Sequence, residues 1–535
     1  MSEPARESRE SRPSGGSARA AVRAVATGFT ELEPPAGQSV ASRSGGEPDG
    51  PLGWRGYGAA RERARERTGE CESVVCGTAR ITGGTGSGAG SATGSGAAGT
   101  GEGAAGVEAV LVSFEFGYLG GSLGARTGDR IVAAYEHART HRLPLVSLIA
   151  TGGSRMQEGM VALSQLQRVA RESVLARRAG VPQVAVLRDP ATGGGWATLG
   201  AGADVVLALP GAQVAFAGSR VRPEGADPAA YTAEGQYAAG HIDRIVEQDG
   251  LAGVLERWLT LLTSGSGVPA PTPEALPPQA LSLSGQAVSA DAEAQSPSLS
   301  PSSSQSAGSP QTLPAGIHPA DSVPLSGQEA VVRARSAQRP RATAYLDAYF
   351  DWREDVRGDR CGGTDDGMIC GFGLREGRTV AYAAQTGTAT RPAGFRTAAR
   401  LIRTADRLGI PVLTLIDTPG AANDADAESA GAGPAIAEVF AAVAESEVPV
   451  TSLLIGEGGS GGALALAAPG RLWVTPHSYF SVIAPELAAA ILKRPEREAA
   501  ATADELMLRP QDVVRLGVAR GVVGVRAGGH RSNAA

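Results

Sequence analysis

The sequence predicts an α/β protein in which one domain plan occurs twice. The first observation is a pair of matched stretches. LPLVSLIATGGSRMQEG from Leu143 is followed by VPQVAVLRDPATGGGWATLG from Val181, and IPVLTLIDTPGAAND from Ile410 by VPVTSLLIGEGGSGGALALA from Val448. The second is their constant offset of 267 residues, which is 411 − 144 for the prolines Pro144 and Pro411. The same offset relates Pro182 to Pro449, Gly153 to Gly420, and Gly194–Gly195 to Gly461–Gly462. The third is that each apolar run ends in glycines followed by a small-residue, helix-like segment. Self-similarity in a fixed register is the mark of duplication.

Short runs of Val, Leu and Ile separated by helical segments read as buried strands of a parallel sheet. Glycine at a strand-to-helix junction lets backbone approach a ligand closely, and the N–H groups of the first helical turn have no partner within the helix. Such groups bind anions, including an oxyanion that exists only during a reaction. The plainer reading is that the glycines only permit close helix–strand packing. A lone Gly-Gly pair would not decide between them; four glycine turns in one repeated register favour the ligand.

In chain order, residues 1–65 are rich in Ser, Gly, Arg and Glu and are expected to be a disordered tail. The first domain, 66–263, opens with VVCGTARITG (Val74–Gly83), which should pair with VEAVLVSFEFGYL. The glycine-rich stretch Thr82–Gly106 reads as an insertion into their hairpin, and it lacks the GK[ST] of a phosphate loop. Helices are expected near Asp129–Arg142, Met156–Ala179 and Gly250–Leu262. Residues 264–337 are dominated by Pro, Ser, Gly and Ala and read as a disordered linker. The second domain, 338–530, starts with the helix TAYLDAYFDW and strands around MICGFGL and TVAYAAQ.

Composition narrows the function. A formal charge of −6 argues against a general nucleic-acid binder. Lys493 is the only lysine, so arginine carries nearly all positive charge. No apolar run approaches the ~20 residues that span a bilayer, and the polar N-terminus, with Glu3, Glu7 and Glu10, has no signal-like core. A cytoplasmic enzyme without membrane attachment is expected. The four cysteines, Cys71, Cys76, Cys361 and Cys370, form neither a disulfide framework nor the paired CxxC spacing of a zinc site, so no metal is expected. His137 and His141 sit four residues apart on a helix without a third ligand nearby and read as a solvated helix end. His477 reads as a loop residue and Glu158 as a helix cap.

FEFGYLGGSLG (Phe114–Gly124), TGGSRMQEG (Thr151–Gly159), RDPATGGGWA (Arg188–Ala197) and VAFAGSRV (Val214–Val221) together resemble the β subunit of bacterial acetyl-CoA carboxylase carboxyltransferase. IDTPGA (Ile416–Ala421), IGEGGSGGALALA (Ile455–Ala467) and YFSVIAPE (Tyr479–Glu486) resemble its α subunit. The resemblance covers about two-thirds of the chain. It implies two crotonase-like domains of repeated ββα units, a fusion of two once-separate subunits. The four-cysteine zinc ribbon that β subunits often carry is missing.

What the resemblance implies chemically is transfer of a carboxyl group from carboxybiotin to acetyl-CoA, giving malonyl-CoA. Gly193, Gly194 and Gly195 would serve the acyl-CoA side, with Gly152 and Gly153 shaping the adjoining turn. Gly461, Gly462 and Ala463 would serve the biotin side, beside Gly420 and Ala421. Arg391 and Arg396, with Arg400, would meet the phosphates of coenzyme A. The chain has no AMKM-like biotinylation sequence and no recognisable ATP-binding carboxylase domain. The resemblance therefore implies a biotin carboxyl carrier protein and a biotin carboxylase as partners, no covalently bound cofactor, and a homo-oligomer. Rival readings are a propionyl-CoA-type carboxyltransferase, a malonate decarboxylase and a catalytically silent scaffold.

Overall fold

A computed structural model describes residues 17–33, 49–83, 106–218, 222–278 and 323–524. The first half contains β1 (Ala26–Glu31), β2 (Val74–Ile81), β3 (Val107–Phe114), β4 (Leu145–Thr151), β5 (Gln183–Thr192), β6 (Val205–Ala208), β7 (Val214–Ala215) and β8 (Arg244–Ile245). Its main helices are α1 (Ala18–Val25), α2 (Tyr57–Thr68), α3 (Ala125–His141), α4 (Gln165–Arg178) and α5 (Leu251–Thr263). The second half contains β9 (Trp352–Val356), β10 (Met368–Arg375), β11 (Arg378–Gln385), β12 (Val412–Thr418), β13 (Val450–Gly459), β14 (Leu472–Val474), β15 (Tyr479–Ser481) and β16 (Gly521–Val522). With them run α6 (Gly327–Arg335), α7 (Ala342–Tyr349) and α8 (Pro392–Arg407).

The duplication extends to topology. One sheet has the order β1-β2-β3-β4-β5-β6-β8 with β7 beside β5; the other has β9-β10-β11-β12-β13-β14-β16 with β15 beside β13. In each, the first three strands are antiparallel neighbours and the rest run parallel. The parallel pairing expected of the glycine-ended runs is found for β4 with β5 and β12 with β13, where helical crossovers intervene, and the hairpin expected of β2 and β3 is found as well. Leu145 pairs with Gln183 as Val412 pairs with Val450, and each ladder slips at the same place, between Ile149 and Thr151 or between Ile416 and Thr418.

Two boundaries differ from the sequence reading. Residues 17–33 and 49–65 of the expected disordered tail are folded: Ala18, Val22 and Val25 form one buried face of α1, and β1 occupies the sheet position that β9 holds in the other half. A window rich in Ser, Gly and Arg conceals an amphipathic segment only eight residues long. Residues 1–16 and 34–48 lie outside the described residues. Within the expected linker, 264–278 pack on the second half. Thr451 donates its hydroxyl to the carbonyl of Ala270 (2.9 Å), and Tyr349 does so to that of Pro271 (2.9 Å). At the linker's other end α6 is capped by Ser326. Residues 279–322 and the glycine-rich 84–105 are outside the described residues; β2 and β3 pair around the latter as a hairpin. The expected helix near Met156–Ala179 is interrupted: Gly159, at φ +53°, opens a short helix to Leu163, and α4 follows from Gln165.

The halves share one hydrophobic core. Helix α5 buries Leu251, Leu255, Trp258, Leu259, Leu261 and Leu262 against β2, β3 and, across the boundary, β10. Each fully buried leucine contributes about 1.5–3 kcal/mol. Trp258 meets Phe372 edge-on, with ring centroids 6.3 Å apart. Ion pairs also cross the boundary between the halves. Glu354 takes Arg244 (2.8 Å) and Arg257 (2.7 Å), Asp204 takes Arg407 (2.6 Å), and buried Asp243 takes Arg360 and Arg400.

Candidate active site

In the first half, β4 ends at Thr151 and β5, its neighbour, at Thr192. The Thr192 hydroxyl donates to the Thr151 carbonyl (3.0 Å), tying the two strand ends together. Gly153, at φ +103°, donates its N–H to the Thr151 hydroxyl (3.1 Å). Gly193, at φ +64°, lies against it. Gly193, Gly194 and Gly195 form the first helical turn after β5, where N–H groups have no intrahelical acceptor. The glycines Gly152, Gly153 and Gly193–Gly195 are therefore brought together as expected. The next residue, Trp196, helps line a cavity of ≈ 500 Å³ with Phe216, Tyr231, His241 and Arg360.

The second half repeats the construction. Gly420, at φ +146°, donates to the Thr418 hydroxyl (3.2 Å), matching Gly153 and Thr151. After β13, Ser460–Leu464 form a short helix whose Gly462 abuts Gly420 and Ala421. A β-carbon on Gly461 would meet nothing within 4 Å, so this turn faces open space. Gly461 and Gly462 lie in the first turn. Ala463 follows as the fourth helical residue.

Each constellation forms within its own half. Among the described residues no backbone hydrogen bond joins one to the other.

The arginines expected to meet phosphate are engaged otherwise. Arg391 makes two bonds to Asp424 (2.9 and 3.1 Å). Arg396 binds Asp359 (2.8 Å) and the Ala430 carbonyl (3.0 Å). Arg400 reaches Asp243 and the carbonyls of Arg357 and Gly358. Their carboxylate partners lie 33, 37 and 157 residues away in sequence, so the local basic pattern did not reveal these pairs.

The sequence reading missed two buried polar networks that hold the turns. Arg155 is buried between Glu72 and Glu158 and also donates to the Ser73 hydroxyl and the Ser122 carbonyl. Burial opposes ionisation of Glu72, but Arg155 more than offsets it and holds its pKa below the usual range. Glu158 is a cap, though of α3 rather than of its own helix: it accepts the Ala125 N–H (2.6 Å) and the Tyr57 hydroxyl (2.5 Å). In the second half Arg339 grips buried Asp417 with two bonds of 3.0 Å, and Gln385 reaches the Gly462 carbonyl. A lone Asp in the apolar run TLIDTPG was the available signal, since a buried carboxylate demands a cation.

His137 and His141 meet at the end of α3 with ring centroids 4.2 Å apart and planes tilted by 38°. His477 is half-buried, and burial lowers its pKa. Among the described residues no group of three or more His, Cys, Asp or Glu side chains could hold a metal, and no helix is long and apolar enough to cross a membrane.

Residues 84–255 match a family model described as a carboxyl transferase domain, and 323–535 one described as acetyl co-enzyme A carboxylase carboxyltransferase-like. The chain is 37% identical over 481 residues, 86% of its length and 74% of the relative's, to a protein of Salinispora tropica named acetyl-coenzyme A carboxylase carboxyl transferase subunits beta/alpha. It is 32% identical to a Mycobacterium bovis protein named probable biotin-dependent acyl-coenzyme A carboxylase beta3 subunit, covering 87% of this chain and 83% of that one. In fold it is similar to transcarboxylase 12S, solved with methylmalonyl-coenzyme A, with TM-score 0.66, 18% identity, and coverage of 95% of this chain and 87% of that one. With a carboxyl transferase domain in the first half and an α-subunit-like domain in the second, the chain belongs to the carboxyltransferase family of biotin-dependent acyl-CoA carboxylases, its β-like and α-like parts fused in one polypeptide.

Proposed function

We propose that this protein moves a carboxyl group from carboxybiotin to the methyl carbon of acetyl-CoA, forming malonyl-CoA. The biotin arrives on a biotin carboxyl carrier protein charged by a biotin carboxylase, and the reaction takes place in the cytoplasm. The observation that carries this reading is the matched pair of glycine turns, each with first-turn N–H groups at a strand end and the second facing open space.

The chemical difficulty is a carbanion beside a thioester. The N–H groups of Gly193–Gly195 receive the developing enolate oxygen, and losing one such donor costs about 3 kcal/mol. Those of Gly461 and Gly462 receive the ureido oxygen as the N1′–carboxyl bond breaks and CO2 leaves. The freed N1′ takes the methyl proton, and the enolate carbon then bonds to CO2. No protein base is required. The protein acts as a homo-oligomer.

The names of the bacterial β/α relatives favour acetyl-CoA, while the mycobacterial relative's name admits other acyl groups. The test is the reverse reaction, carboxyl transfer from malonyl-CoA to free biotin, run alongside methylmalonyl-CoA. Biotin-dependent release of acetyl-CoA is expected. Preference for methylmalonyl-CoA would replace the acetyl assignment, and no turnover of either would overturn the reading.

A further inference from the structure

We propose that Gln385 is a positioning residue that sets the spacing between the two turns of the second constellation. Its carboxamide is fully buried at the end of β11. The oxygen accepts the N–H of Asp417 (3.3 Å), fixing the amide to the end of β12. The nitrogen donates to the Gly462 carbonyl (3.0 Å) and to the Thr390 hydroxyl (3.3 Å). These partners also fix which way the amide points, because an N–H requires the oxygen and a carbonyl requires the nitrogen.

Thr390 connects the amide to the neighbouring turn. Its N–H donates to the Gly420 carbonyl (3.2 Å), and its own carbonyl accepts the Ala422 N–H (2.9 Å). One carboxamide thus spans from the Gly420–Ala421 turn to the first turn of the Ser460–Leu464 helix. Holding the Gly462 carbonyl fixes the peptide planes around it, and with them the directions of the neighbouring N–H groups. An oxyanion site works only when its donors are held in place before charge develops. In the first half the corresponding strand β3 ends at Phe114, which carries no carboxamide, so the duplication does not predict Gln385.

The inference rests on the proposed role of the second turn in receiving biotin. Gln385→Leu removes all three bonds, whereas Gln385→Glu keeps the shape and the acceptor for Asp417 but loses the donor to Gly462. Both are assayed in reverse with malonyl-CoA and free biotin, and the full-length proteins are compared by hydrogen exchange of the segment 456–466. We expect kcat to fall 10- to 100-fold in both, KM for malonyl-CoA to stay within about threefold, and protection of 456–466 to decrease. Folded variants with kcat within twofold of the parent, or a loss confined to KM with exchange unchanged, would overturn the proposal. If the parent shows no transfer, the functional reading fails on its own. The exchange measurement then still decides whether Gln385 holds the turn, and Gln385→Glu serves should Gln385→Leu not fold.

Discussion

Gly193 and Gly153 lie so close that a β-carbon on Gly193 would stand 2.9 Å from the α-carbon of Gly153. The first constellation therefore excludes side chains through its own packing. Neighbouring positions are closed too: a β-carbon on Gly462 would come within 2.6 Å of the Ala421 backbone nitrogen, and one on Gly194 within 2.4 Å of the Leu166 side chain. Gly461 alone among these glycines opens onto free space on all sides of its β-position.

Substitution of these glycines should separate packing from chemistry. Gly461→Val is expected to leave the melting temperature unchanged while reducing carboxyl transfer about 100-fold or more, by crowding the ligand. Gly194→Val and Gly462→Val should lose stability as well as activity, because the new side chains meet protein rather than ligand. Near-normal transfer by folded Gly461→Val would mean that this turn is not a donor site.

Asp243 should impose an acid limit on stability. Burial opposes its ionisation, but Arg360 and Arg400 more than offset this, so its folded-state pKa lies below the ordinary value. Its contribution is then complete above the unfolded carboxylate pKa of about 3.9 and is lost as pH falls through the lower folded value. Asp243→Ala is expected to destabilise toward the lower end of roughly 3–5 kcal/mol, since both arginines keep some exposure. Melting curves from pH 7 to pH 3 should fall more steeply for the parent than for this variant.

Cleavage between the halves should not separate them. With a specific protease site introduced near Ser300, the two fragments are expected to co-elute on a sizing column in moderate salt. Trp258 against Phe372, the ion pairs of Asp243 and Glu354, and the docked segment 264–278 all hold across the cut. Separate peaks would show that the shared core is too weak to hold the halves.

Elemental analysis of the purified protein is expected to find zinc well below one atom per chain. Cys76 lies buried in β2 and Cys370 in β10, while Cys71 and Cys361 are exposed, and four-cysteine coordination needs all four within one site. One zinc per chain would contradict this.

The duplicated plan and the positions of the glycine turns were readable from the sequence, because both depend on local signals. A short apolar run that leads into glycine marks a buried strand and its exit, and β4, β5, β12 and β13 begin and end in the register set by their prolines and glycines. The approach of Gly153 to Gly193 and of Gly420 to Gly462 follows once neighbouring strands pair. Tertiary structure alone decided which side chains meet. Arg391 and Arg396 read in sequence only as a local basic pattern, and their pairing with carboxylates more than thirty residues away appears only in the fold. Gln385 is an ordinary polar residue until the end of β11 is placed beside Gly462, and α1 is a few alanines and valines until α5 covers them. Strand and turn propensities act between near neighbours. A buried charge or amide is assigned its partner only by the packing that removes water from around it, and that packing joins residues tens to hundreds of positions apart.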